Sequence, residues 1–165
     1  MFAVASDSNG WLPIHRAAEF GNVEALQAEL DRGTDVNASA SDGAKSTPLR
    51  LAAKHGHLAA VKLLVARKAD VNLVLEKGNY SALSWASANG HVEVTQFLLR
   101  AQADINKISG SSTALLRAIE FQHSAVVQLL LEHEADATII GNIKGKPTVG
   151  IAAQKNGDIR LSIFL

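Results

Sequence analysis

Apolar residues in this chain recur in short blocks, and the blocks return at a nearly fixed spacing. Leu12-Pro13-Ile14-His15-Arg16-Ala17-Ala18 aligns with Thr47-Pro48-Leu49-Arg50-Leu51-Ala52-Ala53, with Ser81-Ala82-Leu83-Ser84-Trp85-Ala86-Ser87, with Thr113-Ala114-Leu115-Leu116-Arg117-Ala118-Ile119 and with Pro147-Thr148-Val149-Gly150-Ile151-Ala152-Ala153. The offsets are 35, 34, 32 and 34 residues. A period in this range marks a repeat architecture, in which no single unit buries its apolar face alone.

Each block is followed by a break (Gly21-Asn22, Gly56-His57, Gly90-His91, Gln122-His123, Asn156-Gly157) and then by a second apolar segment: Val23 to Leu30, Leu58 to Val65, Val92 to Leu99, Ser124 to Leu131 and Ile159 to Leu165. Two helices per repeat are predicted, since small and polar residues stand where a helix must stop and reverse. Thr or Ser at the block start caps free N–H groups and Pro is tolerated at the first helical position. The start phrase departs most from Thr-Pro-Leu in the third, fourth and fifth repeats. The paired alanines allow close helix approach, and Leu64 and Leu98 belong to second-helix core columns. After each second helix a left-handed residue is expected, and that position holds Gly33, Lys68, Gln102 and Glu134. Four second helices lead into Asp35-Val36-Asn37, Asp70-Val71-Asn72, Asp104-Ile105-Asn106 and Asp136-Ala137-Thr138.

These phrases, in this order and at this period, resemble ankyrin repeats. The resemblance covers roughly residues 9–165. It implies an all-α repeat solenoid, an ankyrin-like stack of about five helix-turn-helix repeats with β-hairpin fingers between them. The expected boundaries are a short extension at 1–8 and one domain at 9–165, with repeats at about 9–40, 41–74, 75–107, 108–141 and 142–165, the last incomplete. From each Asp to the next block start there are 12, 11, 9 and 11 steps, so the fingers absorb the length changes, as surface connections do. The C-terminal repeat stops midway through its second helix. Its apolar end (Ile159, Leu161, Ile163, Phe164, Leu165) lacks the polar outer face of a terminal repeat, so either more chain follows or this end packs on a partner or a second copy.

Composition narrows the function. Lys plus Arg and Asp plus Glu are both 16, so the net charge is 0, without the basic excess that nucleic-acid binding needs. Cys is absent, which removes disulfides, thiolate nucleophiles and cysteine zinc sites. No window approaches a membrane span and the N-terminus lacks a signal-peptide pattern, so the expected location is cytoplasmic, with delivery into another cell compatible with the sequence. Two N-x-[ST] triplets, at Asn37 and Asn79, read as accidental.

Chemical motifs are thin. His57, His91 and His123 share one repeat position and are expected to hydrogen-bond at the helix-helix turn, and no H-E-x-x-H occurs. Glu132-His133-Glu134 falls where the preceding repeat carries no ligands, and Gly141 to Pro147 has neither the spacing nor the Ser or Thr of a phosphate loop. No catalytic residue, metal ligand or cofactor site is assigned.

A binding surface remains, at columns free of the packing rule. The residue before each block start reads Trp11, Ser46, Tyr80, Ser112 and Lys146; the fifth block position reads Arg16, Leu51, Trp85, Arg117 and Ile151; the second residue after the Ala pair reads Phe20, His55, Asn89, Phe121 and Lys155. In an ankyrin-like stack these columns would line a concave face, with Trp11, Phe20, Arg50, His55, Tyr80, Trp85, Asn89, Arg117 and Phe121 as the partner-binding residues. Tyr80, Trp85, Asn89, Arg117 and Phe121 are expected close together, an aromatic and arginine mixture typical of hot spots. Trp85 also reads as a core residue in place of Leu, and Phe121 as cover for a gap. If Tyr80 and Phe121 are surface anchors, truncating either should weaken binding with little effect on stability.

The resemblance thus implies a non-catalytic protein-interaction module acting as adaptor, inhibitor or targeting domain on another protein. Two alternatives stand beside it: the recognition domain of a larger enzyme or bacterial-type effector, and a substrate of asparagine hydroxylation at Asn37, Asn72 and Asn106. The apolar C-terminal end is the candidate surface for self-association.

Overall fold

The computed structural model describes residues 6–7, 10–75, 80–138, 150–153 and 159–162. Four helix pairs follow one another: α1 Pro13–Glu19 with α2 Val23–Asp31, α3 Pro48–Lys54 with α4 Leu58–Ala66, α5 Ala82–Ala88 with α6 Val92–Arg100, and α7 Ala114–Glu120 with α8 Ser124–Glu132. The first helix of each pair packs on the first helix of the next, and the second helices stack in a parallel layer. The core lies between the two layers. Leu26, Leu64, Leu98 and Leu130 fill it from the outer helices and Ile14, Leu49, Leu83 and Leu115 from the inner ones, while Ala18, Ala52, Ala53, Ala86 and Ala118 let the inner helices approach.

The helix starts are uniform despite their varied spelling. The hydroxyls of Thr47, Ser81 and Thr113 accept the backbone N–H groups of Arg50, Ser84 and Leu116, so Ala82 and Ala114 serve where Pro48 stands in the second repeat. In the first repeat Leu12 has no capping oxygen, and its N–H instead bonds Nδ1 of His15 at 3.0 Å. The left-handed residues also fall as expected, with positive φ at Gly33, Lys68, Gln102 and Glu134.

Two sets of bonds lock one repeat to the next. Nε2–H of His57, His91 and His123 donates to the carbonyls of Glu19, Lys54 and Ala88, at 2.9, 3.0 and 3.0 Å. The sequence places these histidines at the helix-helix turn; their partners lie in the preceding repeat. In the fingers, Asp35, Asp70, Asp104 and Asp136 each accept the N–H two residues on, closing a tight turn. Oδ1 of Asn37, Asn72 and Asn106 then accepts the N–H of Asp70, Asp104 and Asp136 in the following repeat.

One expectation is met only in part and a second is corrected. Among the described residues no finger forms a strand ladder. The first is closed by Ala40 N–H to the Ser46 carbonyl, and the third by an isolated bridge between Ser109 and Ser112. The turns at the Asp-x-Asn phrases satisfy the backbone locally, so no ladder is needed. The fifth helix pair is absent from the described residues: Gly150–Ala153 (β1) and Ile159–Ser162 (β2) pair as antiparallel strands, Ile151 opposite Leu161. Gly150 and β-branched Ile151 weaken a helix there, and Ile159-Arg160-Leu161-Ser162 alternates with the period of a strand. Among the described residues neither set of locks continues past the fourth repeat. Gln122 stands where the other repeats have Gly beneath an imidazole, and Thr138 turns its hydroxyl back to Asp136 at 2.6 Å where the others have Asn. Residues 139–149, including all of the Gly141 to Pro147 segment, and Asn79, Lys155, Ile163, Phe164 and Leu165 lie outside the described residues.

Candidate functional site

The inner helices and the turns before them present one continuous strip. Phe20, His55, Asn89 and Phe121 are the C-terminal caps of α1, α3, α5 and α7, so each occupies the same place on successive repeats. All four are exposed; Phe20 at 72% and Phe121 at 47% are far above the level of a core phenylalanine.

The third and fourth repeats gather the expected cluster. The guanidinium carbon of Arg117 lies 4.4 Å from the Tyr80 ring centre and 4.6 Å from that of Phe121. Tyr80 meets Trp85 edge to face at 5.7 Å and 80°. Lys54, from the second repeat, places its ammonium 5.0 Å over the Trp85 ring. Asn89 donates Nδ2–H to the Trp85 carbonyl at 2.9 Å, holding the cap of α5. A row therefore runs from Lys54 through Trp85, Tyr80 and Arg117 to Phe121. Each cation–π contact contributes about 0.5 to 2 kcal/mol, depending on its desolvation. Arg117 also pairs with Glu120 at 2.7 Å, and its side chain is only 11% exposed. Its guanidinium lies against both the Tyr80 and the Phe121 rings, packing between them rather than reaching solvent.

Trp85 resolves as half-buried, neither a core leucine equivalent nor a free anchor. Tyr80 is more deeply engaged than its column suggests. Gly110 (φ +66°) lies beneath it, and a Cβ there would sit 2.6 Å from Cε1 of the tyrosine. Nothing in the column comparison reveals this, because Gly110 belongs to the finger of the neighbouring unit.

The first repeat carries a second cluster. Trp11 donates Nε1–H to Asp42 at 3.0 Å, and Arg16 lies 4.5 Å over its ring while pairing with Asp7 and Glu19 at 2.7 and 2.9 Å. Asp7, placed by the sequence in the extension, is thus fastened to the first repeat. Burial opposes ionisation of Asp42, but hydrogen bonds from Ser46 and Trp11 prevail and hold its carboxyl below the usual range. Arg50 lies in a column that is otherwise buried (His15, Ser84, Leu116) and bonds Oγ of Ser46 at 2.6 Å. His55 stacks on His57 at 6.2 Å; burial and then the neighbouring Lys54 hold its imidazole below the ordinary value. Asn37, Asn72 and Asn106 lie in the fingers, apart from both clusters, with their amides engaged in the inter-repeat bonds described above.

Among the described residues, no three His, Cys, Asp or Glu side chains converge as metal ligands would, and no helix is long and apolar enough to cross a membrane. The strip thus offers aromatic faces, cations and exposed phenyl rings, a composition suited to contact with another macromolecule.

The chain was compared with known proteins. The model for ankyrin repeats (3 copies) matches residues 14–109 and 49–141. Mouse palmitoyltransferase ZDHHC13 is 39% identical over 67 residues, which are 39% of this chain and 11% of the relative. Human palmitoyltransferase ZDHHC13 is 37% identical over 67 residues with the same coverage. This chain therefore spans about a tenth of the length of the curated relatives it matches. Ankyrin repeats are non-catalytic protein-interaction modules, and with most of its length matched by the repeat model, this chain belongs to the ankyrin-repeat family.

Proposed function

We propose that this chain binds a partner protein across its concave strip, as an adaptor, inhibitor or targeting module, and that the Tyr80, Trp85, Arg117 and Phe121 cluster is the main anchor. The observation that carries this reading is Phe121: a phenyl ring 47% exposed, held by Arg117, which Tyr80 supports from behind. Held rings lose little freedom on binding, which is how aromatic and arginine residues become hot spots. Affinity capture with wild type and with Phe121→Ala tests it. The partner retained by wild type should be lost or much reduced with the variant; equal retention would move the interface to the fingers or outer face.

A second reading has a specific observation in its favour. The matched relatives carry the name palmitoyltransferase, so these repeats would serve as the recognition part of a larger enzyme. The mass of the natural polypeptide decides this. A product near the 17.5 kDa of this chain would count against the larger enzyme.

A further inference from the structure

Charge is distributed unevenly along the concave strip. The inner helix of the first repeat compensates Arg16 with Glu19, and Asp7 adds a second carboxylate; that of the fourth compensates Arg117 with Glu120. The inner helix of the second, Pro48-Leu49-Arg50-Leu51-Ala52-Ala53-Lys54, contains two cations and no acid. Among the described residues no carboxylate lies within ion-pair distance of Lys54, whose ammonium rests on the Trp85 ring. Arg50 is engaged by Ser46, with Asp42 acting only through longer-range attraction. The strip is therefore apolar at both ends, at Phe20 and Phe121, and positive between them.

This pattern selects among partners. A partner laid across Phe20 and Phe121 strips water from Lys54, and an ammonium desolvated without a counter-charge is costly. The Trp85 ring covers one side, and an ammonium carries three N–H donors, more than one ring face satisfies. Resting on the concave-face reading, we infer that the partner contributes an extended segment with a carboxylate that meets Lys54, flanked by apolar side chains that sit on Phe20 and Phe121. Packed helices lie about 8 to 10 Å apart, so the three steps from α1 to α7 span roughly 24 to 30 Å. An extended chain rises about 3.3 Å per residue, which sets the two apolar residues about 7 to 9 positions apart.

Selection of a random 12-residue peptide library on the complete 165-residue chain tests this. Enriched peptides should carry Asp or Glu between two apolar residues at that spacing. Lys54→Glu should weaken the best peptide about tenfold or more, and changing its acid to Lys should restore binding to that variant. Lys54→Gln should give a smaller loss, and thermal melts confirm that each variant folds. Enrichment without an acid, or Lys54→Glu binding unchanged while Phe121→Ala still abolishes it, overturns the acidic segment and leaves the concave face standing. Binding unaffected by Lys54→Glu, Phe20→Ala and Phe121→Ala alike overturns both. Failure to enrich any peptide overturns the extended segment.

Discussion

The imidazole of His91 lies directly over Gly56, so that a Cβ added to the glycine would sit 2.6 Å from Nδ1 of the ring. The same ring bonds the Lys54 carbonyl, so each repeat is clamped to the one before it at a point where only glycine fits, and the pairs His57 with Gly21 and His123 with Gly90 repeat the arrangement.

Gly56→Ala is therefore expected to cost about 2 to 5 kcal/mol, from a left-handed backbone (φ +76°) plus a steric clash. In a His91→Ala background the same change should cost only about 1 to 2 kcal/mol, the backbone part alone. Denaturant midpoints of the four proteins give the coupling; additive costs would contradict the clamp.

Gln102 is exposed with φ +64°, and its carbonyl, which no substitution removes, accepts Nδ2–H of Asn72 at 3.1 Å. Gln102→Gly is expected to be neutral or stabilising by up to about 1 kcal/mol, strain relief being partly offset by unfolded-state entropy. A clear loss in the denaturant midpoint would assign the side chain a role the structure does not show.

Leu64 and Leu98 are fully buried in the layer of outer helices. Leu64→Ala or Leu98→Ala should destabilise by about 2 to 5 kcal/mol. A loss under about 0.5 kcal/mol at both would contradict the core register.

His15 supplies the pH dependence. It is fully buried, its Nδ1 accepts the Leu12 N–H, and its Nε2–H donates to the Ala38 carbonyl at 2.9 Å, so the fold uses the neutral ring. Burial lowers its pKa from 6.5 against the pull of Ala38 and nearby acids. Protons bind the unfolded chain more readily, so this contribution to stability is complete above about pH 6.5 and is lost as pH falls towards the folded pKa. Chemical denaturation between pH 7 and 5 should show stability falling, and falling less steeply in His15→Asn. Parallel slopes would show that His15 is not the group responsible.

The repeat alignment makes much of this legible in the sequence. Leu64 and Leu98 were identifiable as core because a column that stays apolar in every unit has no other explanation, and Gln102 as left-handed because it aligns with Gly33. The site was legible as a set of columns, which placed Tyr80, Trp85, Arg117 and Phe121 together. Burial within those columns was not. Tyr80 rests on Gly110 and Arg117 is enclosed by two rings, contacts that depend on the distance between units and on a finger of different length. The fifth block misled because its Ala152-Ala153 pair matches, whereas the residues that lock one unit to the next, Gly beneath His and Asn in the finger, give way to Gln122 and Thr138 before it begins. Those two departures were the signal in the sequence.

Tyr80 and Phe121, alike as sequence columns, are expected to separate on mutation. Phe121→Ala should leave the denaturant midpoint nearly unchanged, while Tyr80→Ala should lower stability by about 1 to 3 kcal/mol through lost contacts with Gly110, Trp85 and Arg117. Equal effects on stability would mean that Tyr80 is not packed as the structure places it.

The most direct test of a concave binding face is the affinity of the captured partner for Phe121→Ala, measured on protein whose denaturant midpoint is determined in parallel. The account predicts a loss of about 1 kcal/mol or more, roughly fivefold in Kd, with the midpoint unmoved. Unchanged affinity in a folded Phe121→Ala protein would contradict it.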